Sequence, residues 1–92
     1  MSDATVPARP ALAPGVRLFY DRKRSLWVLL CPERVIEADG PAHEVLSRCD
    51  GRRTVQQIID ELAAIYAADR DVIARDVMEM LADLASKRLL VP

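Results

Sequence analysis

Residues on which catalysis and metal binding usually depend are scarce in this sequence. Its 92 residues include one histidine, His43, and two cysteines, Cys31 and Cys49, whose separation fits no CxxC or metal-ligand spacing. The three glycines are scattered and form no phosphate-binding loop. We therefore expect that the protein is not an enzyme, that it uses no cofactor or metal, and that His43 has a structural role.

Long apolar runs and a strong net charge are also missing. No stretch approaches the roughly 20 apolar residues that a membrane-spanning helix requires, and residues 1–14 lack the apolar core of a secretory signal. A net charge of −1 gives no general attraction to nucleic acid. These absences predict a cytoplasmic protein without a membrane or nucleic-acid partner. Free thiols are favoured in that compartment, although the sequence leaves a Cys31–Cys49 disulfide open.

The composition predicts one small domain with an aliphatic core. Apolar residues make up 51% of the sequence, whereas aromatic residues make up only 4%. Residues 1–14 contain Pro7, Pro10 and Pro14 among small and polar residues, a composition that buries too little surface to offset the entropy of ordering. The chain is therefore predicted to have a flexible proline-rich arm over 1–14 and a single domain over 15–92.

The first part of that domain has the period-two pattern of β-strands. Val16, Leu18 and Tyr20 share one face of a first strand, and short polar turns separate two further apolar stretches. The strands are predicted at about 16–21, 26–31 and 34–38. Because short turns join antiparallel strands, the second strand is central and the other two are edges with unpaired backbone groups.

Helical spacing follows, and three helices are predicted at about 41–49, 54–67 and 70–87. Gly51 is expected to end the first helix in the left-handed conformation, and Thr54 with Gln57 has the spacing of a capping box for the second. The apolar stripes of the second and third helices comprise Val55, Ile58, Ile59, Leu62, Ile65 and Tyr66, then Ile73, Val77, Met80, Leu81 and Leu84. The fold class is therefore α+β: a winged-helix-like, three-stranded antiparallel N-terminal sheet followed by three α-helices.

A winged-helix-like plan raises the alternative of a small DNA-binding regulator. The third helix would then be the element that reads DNA, but its outward side carries Asp76, Glu79 and Asp83. Carboxylates in those positions would repel phosphates, and the helix has more acidic than basic residues. The charge pattern therefore disfavours this alternative.

An exposed edge strand beside a helix favours a peptide-binding module instead. An extended peptide can add to the third strand as a fourth strand, with backbone hydrogen bonds supplying affinity and flanking side chains supplying selectivity. The residues predicted to line this groove are Arg34, Val35, Ile36 and Glu37 on the strand and Arg75, Met78, Glu79 and Ala82 on the third helix. The unpaired edge also predicts a monomer in solution that can form a strand-exchanged homodimer.

Four blocks of the sequence resemble one known family. They are Pro14-Gly15-Val16-Arg17-Leu18, Trp27-Val28-Leu29-Leu30-Cys31-Pro32-Glu33, Cys49-Asp50-Gly51-Arg52-Arg53-Thr54-Val55 and Ile73-Ala74-Arg75-Asp76-Val77. Together they resemble the PqqD family of pyrroloquinoline quinone biosynthesis over about residues 10–91. The resemblance implies a peptide chaperone of the RiPP-recognition-element type, with a winged-helix-like fold of three strands and three helices.

The resemblance also implies the partners. In that family the chaperone binds the precursor peptide PqqA and presents it to the radical SAM enzyme PqqE, which holds the iron–sulfur clusters and cross-links a Glu and a Tyr of the peptide. The leader peptide pairs with the third strand and packs on the third helix. One position departs from the family pattern, since relatives commonly have Gly after the Lys that ends helix three and Arg88 stands here. A left-handed non-Gly residue costs about 1 kcal/mol, so the last helical turn is expected to end differently.

Overall fold

The computed structural model of the protein describes residues 6–38 and 40–91. Three strands come first and three helices follow: β1 (Arg17–Asp21), β2 (Leu26–Leu30), β3 (Val35–Glu37), α1 (Pro41–Ser47), α2 (Val55–Tyr66) and α3 (Arg70–Ser86). This order confirms the α+β, winged-helix-like fold that the sequence predicts, and each element begins and ends within two residues of its predicted bounds. Within the described ranges, none of the helices combines the length and the apolar character needed to cross a bilayer.

The strands form one antiparallel sheet in the order β1-β2-β3. Leu29 at the centre of β2 lies opposite Leu18 of β1 and Ile36 of β3, so these three side chains share the face that the helices cover. Leu29 is only 1% exposed. Among the described strands β2 is thus central and β3 is an edge, as predicted.

The core lies between this face of the sheet and the apolar sides of the three helices. Leu29, Ile58 and Leu81 are its most deeply buried side chains, and burial of each contributes roughly 1.5–3 kcal/mol. The predicted stripe of α2 is correct as far as Leu62. Beyond it, Ile65 and Tyr66 are exposed, and Tyr66 borders an open cavity.

The joint between α1 and α2 contains the predicted capping box. The Gln57 N–H donates to Thr54 Oγ1 at 3.1 Å, and the Thr54 N–H donates to Gln57 Oε1 at 2.8 Å. Gly51 is left-handed as expected, with φ of 78°, but the prediction that it caps α1 is wrong because α1 already ends at Ser47 with Arg48 as its C-cap. A Cβ on Gly51 would lie 3.3 Å from the Ala11 Cβ. Because glycine has no Cβ, the segment that contains Ala11 can pack closely against this position.

That neighbour is the N-terminal segment, residues 8–13. The Ala8 and Pro10 carbonyl oxygens accept from the N–H groups of Val55 and Gly51 at 3.2 and 2.9 Å. Ala11 O accepts from the Val91 N–H at 2.8 Å, and Pro10 is fully buried. Part of the predicted flexible arm over 1–14 thus has carbonyl groups that accept from donors of the helical joint and the C-terminal tail, while the flexibility of the arm stays a prediction. Residues 1–5 of the predicted arm lie outside the described part of the chain.

The end of α3 also corrects an expectation. Arg88 adopts the left-handed conformation, with φ of 61°, although it is not glycine. The Leu89 N–H donates to Leu84 O at 2.9 Å and the Arg88 N–H donates to Ala85 O at 3.0 Å, which are the two hydrogen bonds of a Schellman motif. Leu89 is buried, and packing of this kind offsets the backbone strain at Arg88. The helix therefore ends as it would with glycine.

A group of ion pairs links the start of α2 to the end of α1. Glu61 Oε1 accepts from Arg48 Nε, and Glu61 Oε2 accepts from Arg53 Nε, both at 2.9 Å. Arg53 also pairs with Asp50 at 2.6 Å. The hydrogen bond from Arg53, followed by that from Arg48, lowers the pKa of the Glu61 carboxyl below its usual value of 4.5. Two cations therefore hold one carboxylate across the joint.

Candidate functional site

The open edge of β3 is the first element of the site. The Cys31 N–H donates to Arg34 O, and the Ala38 N–H donates to Trp27 O, both at 2.9 Å. In an antiparallel pair the backbone groups of alternate residues point to the partner strand. Ile36 therefore faces β2 as Arg34 and Ala38 do, while the N–H and C=O groups of Val35 and Glu37 point away from the sheet. Within the described sheet, these two residues present backbone groups that no strand pairs with.

The side chains along β3 alternate between the core and the solvent. Ile36 is half-buried and packs against the core, whereas Val35 is 58% exposed and Glu37 is also exposed. Arg34, immediately before the strand, is exposed as well. The structure thus brings the four strand residues predicted for the groove together along one free edge, with Ile36 as the residue that anchors this edge to the core.

A cavity of about 440 Å³ lies at the beginning of β3. It is formed where the β2–β3 turn, from Cys31 to Arg34, approaches the C-terminal end of α3 at Lys87 and Arg88. The remaining walls come from Ala13 and Pro14 before β1, from Val16, and from Leu89 in the tail. We call this cavity the cationic cleft, because Arg34, Lys87 and Arg88 line it.

A second cavity, of about 340 Å³, lies beyond the end of β3. Pro41, the first residue of α1, forms one wall, and the other walls come from α2 and from the first half of α3. Its lining is mostly apolar and comprises Pro41, Val45, Leu62, Tyr66, Ala68, Ile73, Asp76, Val77 and Met80. We call it the apolar cavity.

Both β3 and α3 lead from one cavity to the other. The chain passes from Arg34 in the cationic cleft along β3 to Pro41 in the apolar cavity. Helix α3 passes the other way, from Met80 in the apolar cavity to Lys87 in the cleft, a distance of roughly 10 Å at 1.5 Å per residue. We call the free edge of β3, this part of α3 and the two cavities the β3–α3 trough, and its two ends differ in chemistry.

The α3 residues that the sequence predicts for the groove lie on other sides of that helix. Met78 lines a separate cavity with Val6, Pro7 and Val55, formed by the beginning of the described chain and the start of α2. Arg75 and Glu79 are exposed on the side of α3 opposite the buried Val77. Ala82, half-buried, follows Met78 by one turn. None of these four residues lines either end of the trough.

Asp76, Met80 and Lys87 are the α3 residues that sequence reasoning missed. Met80 lies at the edge of the core stripe on the side opposite Met78, and Asp76 and Lys87 follow that edge at helical spacings of four and seven. The stripe itself was correctly predicted, but periodicity gives no sign of which flank faces β3. Along this side of α3 the charge changes from acidic at Asp76 to basic at Lys87. That change is visible in the sequence, and it could have indicated a surface whose two ends differ in charge.

The histidine and the two cysteines, the side chains best suited to catalysis or metal binding, are surrounded by structural contacts. His43 stacks on Trp27, with ring centroids 4.3 Å apart. Cys31 and Cys49 are both free thiols, and burial, with a contribution from the Asp50 charge, raises the pKa of the Cys49 thiol to about 11. In the part of the chain that is described, no three His, Cys, Asp or Glu side chains are grouped as a metal site would require.

Comparison with known proteins gives consistent matches. Residues 27–90 match the family described as coenzyme PQQ synthesis protein D (PqqD). The chain is 53% identical over 90 residues to a "PqqA binding protein" of Xanthomonas oryzae pv. oryzae (strain PXO99A), covering 98% of each protein. It is 54% identical over 82 residues to a protein of the same name from Rhodopseudomonas palustris (strain ATCC BAA-98 / CGA009), covering 89% of this chain and 80% of that one.

Two solved structures resemble the fold. The solution NMR structure of the PqqD truncation of Methylobacterium extorquens PqqCD, described as a functional and stand-alone RiPP recognition element, has a TM-score of 0.81 at 42% identity, covering all of both chains. The crystal structure of PqqD from Xanthomonas campestris has a TM-score of 0.61 at 46% identity, covering 100% of this chain and 99% of that one.

Proposed function

The chain belongs to the PqqD family, and we propose that it is a peptide chaperone of pyrroloquinoline quinone biosynthesis that binds the precursor peptide PqqA by β-strand addition. Relatives at 53 and 54% identity are named for binding PqqA, and the NMR neighbour is described as a RiPP recognition element. The observation that carries the mode of binding is the open edge of β3, where the backbone groups of Val35 and Glu37 point outward.

The peptide would enter the β3–α3 trough as a fourth strand. Its backbone would pair with Val35 and Glu37, and its side chains would contact Arg34 and Ile36 on the strand wall and Met80 on the helix wall. Because a disordered peptide loses conformational entropy when it is ordered in this way, we expect a dissociation constant in the micromolar to sub-micromolar range. Backbone pairing would fix the register, and the ends of the trough would select among sequences.

The protein would deliver the peptide and leave the chemistry to the radical SAM enzyme PqqE. Its own candidate nucleophile and base are in structural positions, because the Cys49 thiol is buried with a raised pKa and His43 is stacked on Trp27. A disordered substrate held at the enzyme would have a high local concentration and a defined strand geometry. Turnover of the peptide by this protein without PqqE would contradict the assignment.

The proposed location is the cytoplasm, where the protein would act as a monomer. The unpaired edges of β1 and β3 also permit a strand-exchanged homodimer at high concentration, and light scattering across a concentration series distinguishes the two states. Nucleic acid is not among the proposed partners, because the exposed carboxylates of Asp76, Glu79 and Asp83 on α3 would oppose phosphate binding.

An NMR titration of the labelled protein with synthetic PqqA tests the mode of binding. We expect the largest amide shifts at Val35 and Glu37, followed by shifts at the Met80 and Lys87 ends of the trough. A scrambled peptide of the same composition is the matched control. Shifts confined to Met78, Val55 and the N-terminal segment would place the peptide in the other groove of α3, and β3 addition would then be wrong.

A further inference from the structure

The cationic cleft has more positive charge than its own residues neutralise. Arg34, Lys87 and Arg88 line it, while Glu33 is the one acidic residue among the described residues of its lining. Lys87 Nζ already contacts Asp83 Oδ2 at 2.8 Å. The guanidinium groups of Arg34 and Arg88, by contrast, make no hydrogen bond or ion pair with any residue in the ranges 6–38 and 40–91. Two planar cations with five N–H donors each are therefore available to a ligand.

Arg88 occupies this cleft in an unfavourable backbone conformation. Its φ of 61° is in the left-handed region, where glycine would be free of strain. The conformation is held by the Schellman hydrogen bonds and by burial of Leu89, to neither of which the arginine side chain contributes. Strained positions of this kind cluster at binding sites, where the side chain itself has a use.

The other end of the trough, the apolar cavity, is mostly apolar and acidic where the cleft is cationic. Among the described residues, Asp76 is the one charged residue that lines the apolar cavity, and it is acidic. An acidic side chain of a bound peptide would be repelled there and attracted to Arg34 and Arg88. The separation of these ends along α3, roughly 10 Å between Met80 and Lys87, corresponds to about three residues of extended peptide.

We propose that the cationic cleft binds a carboxylate side chain of the guest peptide between Arg34 and Arg88, and that this contact sets the direction of the peptide along β3. This inference rests on the proposed function. The ligand would carry an Asp or Glu about three residues from an apolar side chain that enters the apolar cavity. Arginine suits the role because its planar donor pairs match the two oxygens of a carboxylate.

Isothermal titration calorimetry with synthetic PqqA tests the cleft. The test variants are Arg88→Gly and Arg34→Gln. The control is Arg22→Gln, which removes an exposed cation in the β1–β2 turn. Loss of a charge-assisted contact should weaken binding about tenfold for each of the first two variants and leave the control unchanged. The Arg88→Gly variant should also melt at a higher temperature than the wild type, so weaker binding could not be attributed to a damaged fold. The Arg88→Lys variant should lose part of the affinity, because lysine keeps the charge but not the paired donors.

Peptides in which single Asp or Glu residues are replaced by the amide identify the partner carboxylate. The peptide variant that weakens wild-type binding should have little further effect on Arg88→Gly, because the two changes remove the same contact. Equal affinity of wild type, Arg88→Gly and Arg34→Gln for PqqA would overturn the cleft proposal and leave the chaperone function standing. Failure of the wild type to bind PqqA would overturn both.

Discussion

The Trp27 indole stacks on the His43 imidazole, with ring centroids 4.3 Å apart and planes 16° from parallel. The contact joins the central strand to α1. Tyr20 adds an edge-on contact to the same indole at 5.3 Å. The Trp27 carbonyl also accepts from the Ala38 N–H at the end of β3. The only tryptophan of the sequence therefore connects the sheet, the first helix and the edge at which the peptide is proposed to add.

His43→Ala should destabilise the fold through loss of this stacking. An aromatic pair contributes about 0.5–1.5 kcal/mol beyond the area that it buries. Urea denaturation of His43→Ala, Trp27→Leu and the double variant measures the coupling between the two rings. We expect a coupling free energy of about 1 kcal/mol, and additive effects would show that the rings stabilise the fold independently.

Val35→Pro should abolish peptide binding while the fold is retained. Proline removes the outward N–H of an edge strand, a group that no neighbouring strand of the described sheet uses. The control Val35→Ala keeps that N–H and removes most of the side chain. Calorimetry should therefore show binding by the alanine variant and none by the proline variant, with circular dichroism to verify that both are folded. Full binding by a folded Val35→Pro variant would argue for a groove formed by helices alone.

Arg88→Gly should raise stability. Glycine adopts the left-handed conformation at no steric cost, so about 1 kcal/mol of strain is removed. For a domain of this size the melting temperature should rise by about 4–8 °C. Ser86→Gly, at the last residue of α3, is the comparison and should lower stability, because there glycine weakens a helical position and removes the hydrogen bond from Ser86 Oγ to Asp83 O. A lower melting temperature for Arg88→Gly would mean that the arginine side chain stabilises the fold by more than its backbone strain costs.

Glu61→Gln should reduce stability near neutral pH and have little effect in acid. The pKa of Glu61 is lower in the folded state because Arg53 and Arg48 hydrogen-bond to the carboxylate. A carboxyl of this kind contributes stability above its usual pKa of 4.5, and that contribution is lost as the pH falls through the lower folded value. Melting temperatures of the wild type and the variant should therefore differ near neutral pH and converge in acid.

Glu79→Gln provides the control for that measurement. Glu79 is exposed on α3, and within the described chain it makes no ion pair. The substitution removes the same charge without breaking the joint between α1 and α2. If both substitutions lowered the melting temperature equally at neutral pH, the loss of stability would come from the change in net charge. The Glu61 ion pairs would then contribute nothing specific.

The regular elements could be predicted from the sequence because their signals are local. Period-two alternation and short turns place the sheet, and the hydroxyl of Thr54 with the amide of Gln57 places the start of α2. The docking of the N-terminal segment could not be predicted in this way. Pro10 is buried only because the carbonyl groups around it meet the N–H groups of Gly51 and Val91, residues far along the chain.

The candidate site was half predictable for a similar reason. Edge position follows from strand order, so Val35 and Glu37 could be identified from the sequence. The helix wall depends on tertiary packing, which a local pattern does not contain. Arg34 lines one cavity together with Lys87, and Pro41 lines the other together with Met80. Helical periodicity treats the flank with Met78 and the flank with Met80 as equivalent.

The bridge between Leu12 and Leu90 has a consequence for protein engineering. It holds Leu12 of the N-terminal segment beside Leu90 of the C-terminal tail, and the two segments run antiparallel. A linker from Val91 to the beginning of the N-terminal segment would therefore only have to follow the length of that segment, and new termini could be opened in the Arg22-Lys23-Arg24 turn. Such a circular permutant should fold with its trough intact, and it would allow a partner enzyme to be tethered at the β1–β2 turn.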